Sequence, residues 1–338
     1  MDKLLICSYN HFDILAHKVK GKVSSKPITI NESNEITNMD CINPAFAINR
    51  GKYVYVCCES IYNGYILTID SETNKILKKV SSCGKSSCYL QVDPDDKYII
   101  NINYWDSIIS VHPIINNILE EATQVILPKH ENQIYTIDDH LVDRQKTSHH
   151  HSCAFYKGYL YVPDLGTNRI DIYSYNNGKL KFKNYIELPK NSGPRYIIFI
   201  DDYLYVINEL SSSISVIEMC PIPKIKQNIK TIPDNINVKN TCGTIKYSKN
   251  GYIYASNRGH NSIAIFKILD NKKLELRNIQ ITYGKTPRHF ELNKDFSKLF
   301  VANQDTNEIV TFSILEDKLK IVKTIEYNSP NFILYLDH

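Results

Sequence analysis

No stretch of this sequence approaches the ~18 consecutive apolar residues that a membrane-spanning helix requires, and no run of like charge forms a basic or acidic arm. Charge of either sign is nearly balanced, with 40 Lys and Arg against 36 Asp and Glu and a net charge of +4. That balance carries no nucleic-acid signature. The nine cysteines include no C-x-x-C pair, so the clustered spacing of a zinc site is missing. Their number is odd and most lie in apolar runs such as Val56-Cys57-Cys58. They read as buried free thiols of a reducing compartment. The segment from Met1 to Asn10 is too short and polar for a secretory signal, and the expected location is cytoplasmic. Helical periodicity never persists beyond about two turns, which excludes an α-rich fold.

What the chain does have is an internal repeat of roughly 45 residues, and repeats of this length mark propellers and other arrays. Each unit opens with a proline-led or small-residue turn and an apolar strand. A polar turn and a second apolar strand follow, closing near an Asn, Asp or Glu. The openings are Pro44-Ala45-Phe46, Cys88-Tyr89-Leu90, Ser152-Cys153-Ala154, Pro194-Arg195-Tyr196, Gly243-Thr244-Ile245 and Pro287-Arg288-His289. A further opening, Pro330-Asn331-Phe332, has no continuation before the sequence ends. Leu4-Leu5-Ile6-Cys7 and Phe12-Asp13-Ile14-Leu15-Ala16 read as strands that lack an opening partner. The prediction is a single all-β domain spanning residues 1–338, a seven-bladed β-propeller whose last blade is closed by both chain termini. Asn63-Gly64, Asn177-Gly178 and Asn250-Gly251 predict tight turns. Blades two and three are separated by a polar insertion between about Ile115 and Ser148. Its length favours a functional role.

The first strand of a blade lines the central channel, so polar residues at its start converge from distant parts of the chain. Arg195 and Arg288 each follow a proline there, and His289 follows Arg288. His149, His150 and His151 precede the first strand of blade three. Strand alternation would turn His149 and His151 to one site and His150 away. Glu209 and Arg258 lie at or next to the end of the second strand in blades four and five. Equivalent first-strand positions elsewhere read as Ala45, Tyr89 and Asn331. Buried charge is costly unless paired or solvated. These residues therefore point either to salt bridges between blades or to an anion site with an acid–base group beside it. No metal or cofactor is expected, because two histidines without a carboxylate or thiolate companion fit acid–base work better than zinc.

Several motifs resemble the lactonase family of seven-bladed propellers, which includes a class of bacterial 6-phosphogluconolactonases and the fungal carboxy-muconate cyclases. They are Arg144-Gln145 followed by His149-His150-His151-Ser152, then Gly193-Pro194-Arg195, Asn208-Glu209-Leu210, Ser256-Asn257-Arg258-Gly259-His260 and Pro287-Arg288-His289-Phe290. The resemblance implies a site built from His149 or His151, Arg195, Glu209 and Arg258. The expected division is catalysis by His149, His151, Glu209 and Arg258 and substrate binding by Arg195, Arg288, His289 and Arg144. The sequence departs from the family pattern in the first two blades. Ser87-Cys88-Tyr89 stands for Pro-Cys-His, and Trp105-Asp106 replaces the usual glycines after Asn103-Tyr104. The leading expectation is metal-independent hydrolysis of a small anionic sugar lactone. The alternatives are a muconate-type lactonizing activity and an inactive scaffold that binds a protein partner. Neither a nucleic acid nor a membrane is an expected partner.

Overall fold

In the computed structural model, which describes residues 3–11, 28–30, 34–36, 41–128 and 137–336, seven antiparallel sheets surround one axis. Blade one consists of strands Pro44–Arg50, Tyr53–Cys58, Tyr65–Asp70 and Lys75–Ser81. Blades two to six repeat this order, beginning at Ser87, Ala154, Pro194, Thr241 and Pro287. The seventh is a composite. Its innermost strand, Pro330–Tyr335, pairs with Leu4–Ser8, followed by Ile28–Ile30 and Asn34–Ile36. Closure by both chain ends is therefore as the repeat predicts. The predicted strand Phe12–Ala16 lies outside the described residues.

Burial explains the strand composition. Central strands such as Tyr65–Asp70 are buried on both faces and read as continuous apolar runs. The outermost strand of blade four, Lys224–Lys230, alternates exposed lysines with half-buried Ile225 and Ile229. The core is divided. Each of the seven interfaces between neighbouring blades holds its own apolar cluster, such as Tyr205, Val216, Ile253 and Phe266 between blades four and five. Leu5, Ile28, Phe332, Val54 and Leu67 join the composite blade to blade one, so the closing seam is packed like the others.

Asn177 and Gly178 both have positive φ, at 42° and 76°, and turn Arg169–Asn176 into Lys179–Glu187. Asn63-Gly64 differs from expectation. It ends a longer connection after Cys58, and Gly64 is needed for close approach: a Cβ there would lie 2.5 Å from Ser82 Oγ. The insertion after blade two first supplies that blade's outer pairing, through Ile118–Leu119 and Gln124–Ile126. It then forms one helical turn, Val142–Gln145.

Candidate functional site

The site arises from one backbone irregularity repeated around the axis. First strands of adjacent blades contact one another and form the channel wall. Near its start, each carries a one-residue register shift against its partner. The unpaired residue is Ala45, Cys88, Arg195, Arg288 or Asn331 in five blades. In blade five the shift spans Gly243 and Thr244. In blade three it falls at His151, between the His150–Asp164 bridge and the pair Ala154–Tyr161. Such bulges re-aim a side chain. The equivalent residue in blade two is thus Cys88, and the expected Tyr89 sits one step further along the channel.

A second ring comes from the residue at or just after the end of each second strand: Tyr9, Glu59, Tyr104, Glu209 and Arg258 in blades seven, one, two, four and five. The two rings enclose a cavity of about 230 Å³ at one end of the channel, lined by Arg144, Arg195, Arg258 and Arg288 among others. Glu209 is the hub. Its Oε2 lies 2.8 Å from Arg195 Nε and 2.7 Å from an Arg258 terminal nitrogen, and its Oε1 lies 2.5 Å from Arg144. Arg195 and Arg258 are further fixed on the carbonyls of Gly243 and Cys242, each at 2.6 Å.

Arg144 arrives from the insertion. Gln145 anchors that helical turn by donating to Leu165 O at 3.0 Å and Asn168 Oδ1 at 2.8 Å. Asp138 ties its start to Lys190 at 2.7 Å and Asn191 at 2.6 Å. The long connection thus delivers a cation to the channel. On the opposite wall, Tyr9 Oη donates to Glu59 at 3.0 Å, and Arg288 lies 5.2 Å from the Tyr9 ring.

Burial and mutual charge set the protonation states. Burial works against the Glu209 carboxylate, but Arg258, Arg144 and Arg195 outweigh it and hold the group well below the usual carboxylate range. Burial, together with the repulsion of Arg195, Arg288 and Arg144, pushes Arg258 down to about 10, so it stays a cation at neutral pH. Burial and then Arg195 depress His151 well below the ordinary imidazole value. His151 is neutral and lines the cavity, and its buried Nδ1 has no hydrogen-bond partner among the described residues. Burial raises the Cys88 thiol, which stays protonated.

The three consecutive histidines separate in space. His150 is fully buried; its Nδ1 meets Ser107 O at 2.9 Å and its Nε2 meets Asp171 at 3.2 Å. Both His149 and His151 pack on the Tyr104 ring, but only His151 lines the cavity. His149 stacks on Tyr104 with centroids 4.8 Å apart, and its nitrogens meet Tyr104 O at 3.1 Å and Thr147 Oγ1 at 3.3 Å. The alternation expected for a strand does not apply, because the regular strand begins only at Ala154. His289 does not line the main cavity but sits one layer deeper, in a small hollow that it shares with His151, Arg195 and Arg288. The His289 Nδ1 accepts from Ile333 N–H at 3.3 Å, and burial keeps the ring neutral. With Phe46, Tyr89, Tyr196 and Phe332 it forms an aromatic floor, in which Phe46 lies 4.3 Å from Tyr89 and 4.6 Å from Phe332.

Glu59, Tyr9, Tyr104 and Trp105 line the site but escaped the sequence reading. Their signal was positional: Glu59 follows the second strand of blade one as Glu209 follows that of blade four. Among the described residues no three His, Cys, Asp or Glu side chains form a group that could hold a metal ion.

The fold and this cavity define a class: a seven-bladed propeller with a cationic hollow at one end of its channel. The chain belongs to the lactonase family of seven-bladed β-propellers, whose profile matches residues 22–334. It is 28% identical to an uncharacterized protein of Lactococcus lactis over 317 residues, covering 90% of this chain and 89% of the relative. An uncharacterized Staphylococcus epidermidis protein is 30% identical over 243 residues, covering 70% of each chain. Among solved structures, the Pseudomonas aeruginosa periplasmic gluconolactonase superposes with a TM-score of 0.84 at 19% identity, covering 99% of both chains. A Bacteroides fragilis protein provisionally titled a 6-phosphogluconolactonase superposes with a TM-score of 0.82 at 25% identity, covering 99% of this chain and 98% of that one.

Proposed function

We propose that the protein hydrolyses a small sugar lactone bearing an anionic group, in the cavity built around Glu209. The observation that carries this reading is the charge of the lining: four arginines against two carboxylates, Glu59 and Glu209. Glu209 is saturated by three of those arginines, so it organises cations rather than accepting protons. The excess positive charge suits a phosphate or carboxylate. The cavity size suits one sugar-sized ring.

His151 is the general base in this proposal, since it is neutral and lines the cavity. It takes a proton as water adds to the ester carbonyl carbon. An arginine of the cluster, Arg258 or Arg195, stabilises the tetrahedral oxyanion. Collapse breaks the ring C–O bond, and the proton held by His151 passes to the departing alkoxide. The products are the hydroxy acid and the restored neutral imidazole. An anionic ligand offsets the field of Arg195 and so raises the basicity of His151 where it is used. His149 and His289 have structural roles in this scheme. The described residues include no helix long and apolar enough to cross a membrane. All nine cysteines are free thiols, which supports a cytoplasmic setting for this activity.

A pH-stat panel of 6-phosphogluconolactone, uncharged gluconolactone and a muconolactone tests the proposal. Saturable acceleration of the phosphorylated lactone is expected, with a KM at least about tenfold below that of the uncharged one, the size of one charge-assisted contact. Acceleration of the muconolactone alone would transfer the site to lactonizing chemistry. No acceleration of any lactone would leave the scaffold reading in its place.

A further inference from the structure

We propose that Trp105 is the platform for the substrate's sugar ring, and that it selects a ring-bearing anion over a ringless one. This rests on the sugar-lactone reading above and names a specificity residue for it. Trp105 is the only tryptophan in the chain. It is half-buried and lines the cavity.

Its setting is braced. Tyr104 and His149 are stacked at an interplanar angle of 15° with centroids 4.8 Å apart. The indole stands against both, 5.3 Å from each centroid, at 77° to Tyr104 and 88° to His149. Each brace is itself tied: Tyr104 Oη accepts from Arg144 at 3.3 Å, and His149 Nδ1 meets Tyr104 O at 3.1 Å. The Trp105 backbone N–H donates to Lys85 O at 3.3 Å. This gives His149 a purpose outside the chemistry, as a support for the wall.

The cationic cluster can hold an anion but offers nothing to a ring. A sugar ring has hydroxyls around its edge and polarised C–H bonds on its faces. An indole face is electron-rich and apolar, and it complements such a C–H face as it complements the positive edge of another ring. The indole N–H has no hydrogen-bond partner among the described residues and is free to donate to a ring hydroxyl. Arginines around Glu209 and an indole on the same cavity therefore divide recognition between charge and ring.

The test is calorimetric titration with 1,5-anhydroglucitol 6-phosphate, which has a ring and a phosphate but no ester, and with glycerol 3-phosphate, which has no ring. The wild-type protein is expected to bind the ring phosphate roughly tenfold more tightly. Trp105→Ala removes most of that difference and leaves glycerol 3-phosphate within about twofold; Trp105→Phe restores part of it. The fluorescence of the lone tryptophan changes with the ring ligand and not with glycerol 3-phosphate. Equal affinity for the two ligands in the wild type, equal weakening of both by Trp105→Ala, or no binding of either would overturn the proposal. Ring-dependent binding without acceleration of any lactone would overturn the hydrolase reading and leave the platform. Unchanged KM for 6-phosphogluconolactone in Trp105→Ala would overturn the platform alone.

Discussion

The two ends of the channel are made by the same inner strands, yet they differ in chemistry. One end gathers four arginines around two carboxylates. Farther along, beyond the aromatic floor, a more open hollow of about 560 Å³ is lined by Phe46, Ile48, Tyr89, Gln91, Leu334 and Tyr335 with no charged side chain. The nearby Lys246 is matched by Glu291 at 2.8 Å. The difference follows from backbone geometry. At the bulged end each strand contributes an irregular residue, free of the alternation that serves the core. Past the bulge, ordinary pairing resumes and the side chains pack between blades. A propeller can therefore change its bulge residues and the residues after its second strands without disturbing the clusters that hold the blades together.

Substitutions at the charged end should matter far more than those at the neutral one. Arg258→Ala is expected to have the largest effect, a fall of roughly 10³-fold in kcat/KM for 6-phosphogluconolactone with an unchanged circular dichroism spectrum. Glu209→Gln strands three guanidiniums, and a loss of about 3 kcal/mol in denaturant unfolding is expected. Millimolar phosphate should return part of it by restoring negative charge. His151→Ala should reduce kcat by about 10²-fold, while His149→Ala should cost less than about tenfold and act on KM. Gln91→Ala, in the neutral hollow, should leave turnover within about twofold. A large effect of Gln91→Ala with none from Arg258→Ala would invert the comparison.

The acid side of the stability curve sharpens it further. His151 and His289 have folded pKa values below their unfolded value near 6.5. The unfolded chain therefore binds more protons, and stability falls as pH drops below about 6.5, with a slope near 1.4 kcal/mol per pH unit for each such histidine. Glu209 adds stability above its unfolded value near 4.5, and this is lost as pH falls through its depressed folded value. His150, raised by Asp171 and Asp164 against its burial, opposes the trend and loses its contribution as pH rises through its folded value. Chemical denaturation between pH 4 and 8 reads these slopes, and His151→Gln should flatten the limb below 6.5.

Much of the architecture was legible in the sequence because each blade repeats one pattern and each bulged strand in blades one, four and six starts with a proline. Arg195 and Arg288 stood out as charges at first-strand positions that elsewhere hold neutral residues, Glu209 and Arg258 as charges at the ends of second strands, and all four line the cavity. Registration to a single residue was not legible. A bulge shifts the strand by one, so Cys88 rather than Tyr89 takes the lining position. His149 was misplaced because period-two alternation was applied to residues that precede the strand. Arg144 depends on an anchor, Gln145, whose partners Leu165 and Asn168 belong to another part of the chain. Trp105 stands in the sequence only as a departure from the family's usual glycines, since its contacts with Tyr104 and His149 exist only after folding.

The most direct measurement is the initial rate of 6-phosphogluconolactone hydrolysis, above the spontaneous rate, for the wild type and for Arg258→Ala side by side. Saturable acceleration by the wild type that disappears in a folded Arg258→Ala protein is the predicted result. Equal rates for the two proteins, or a wild-type rate no faster than buffer, would contradict the claim that the cations gathered on Glu209 form a working hydrolase.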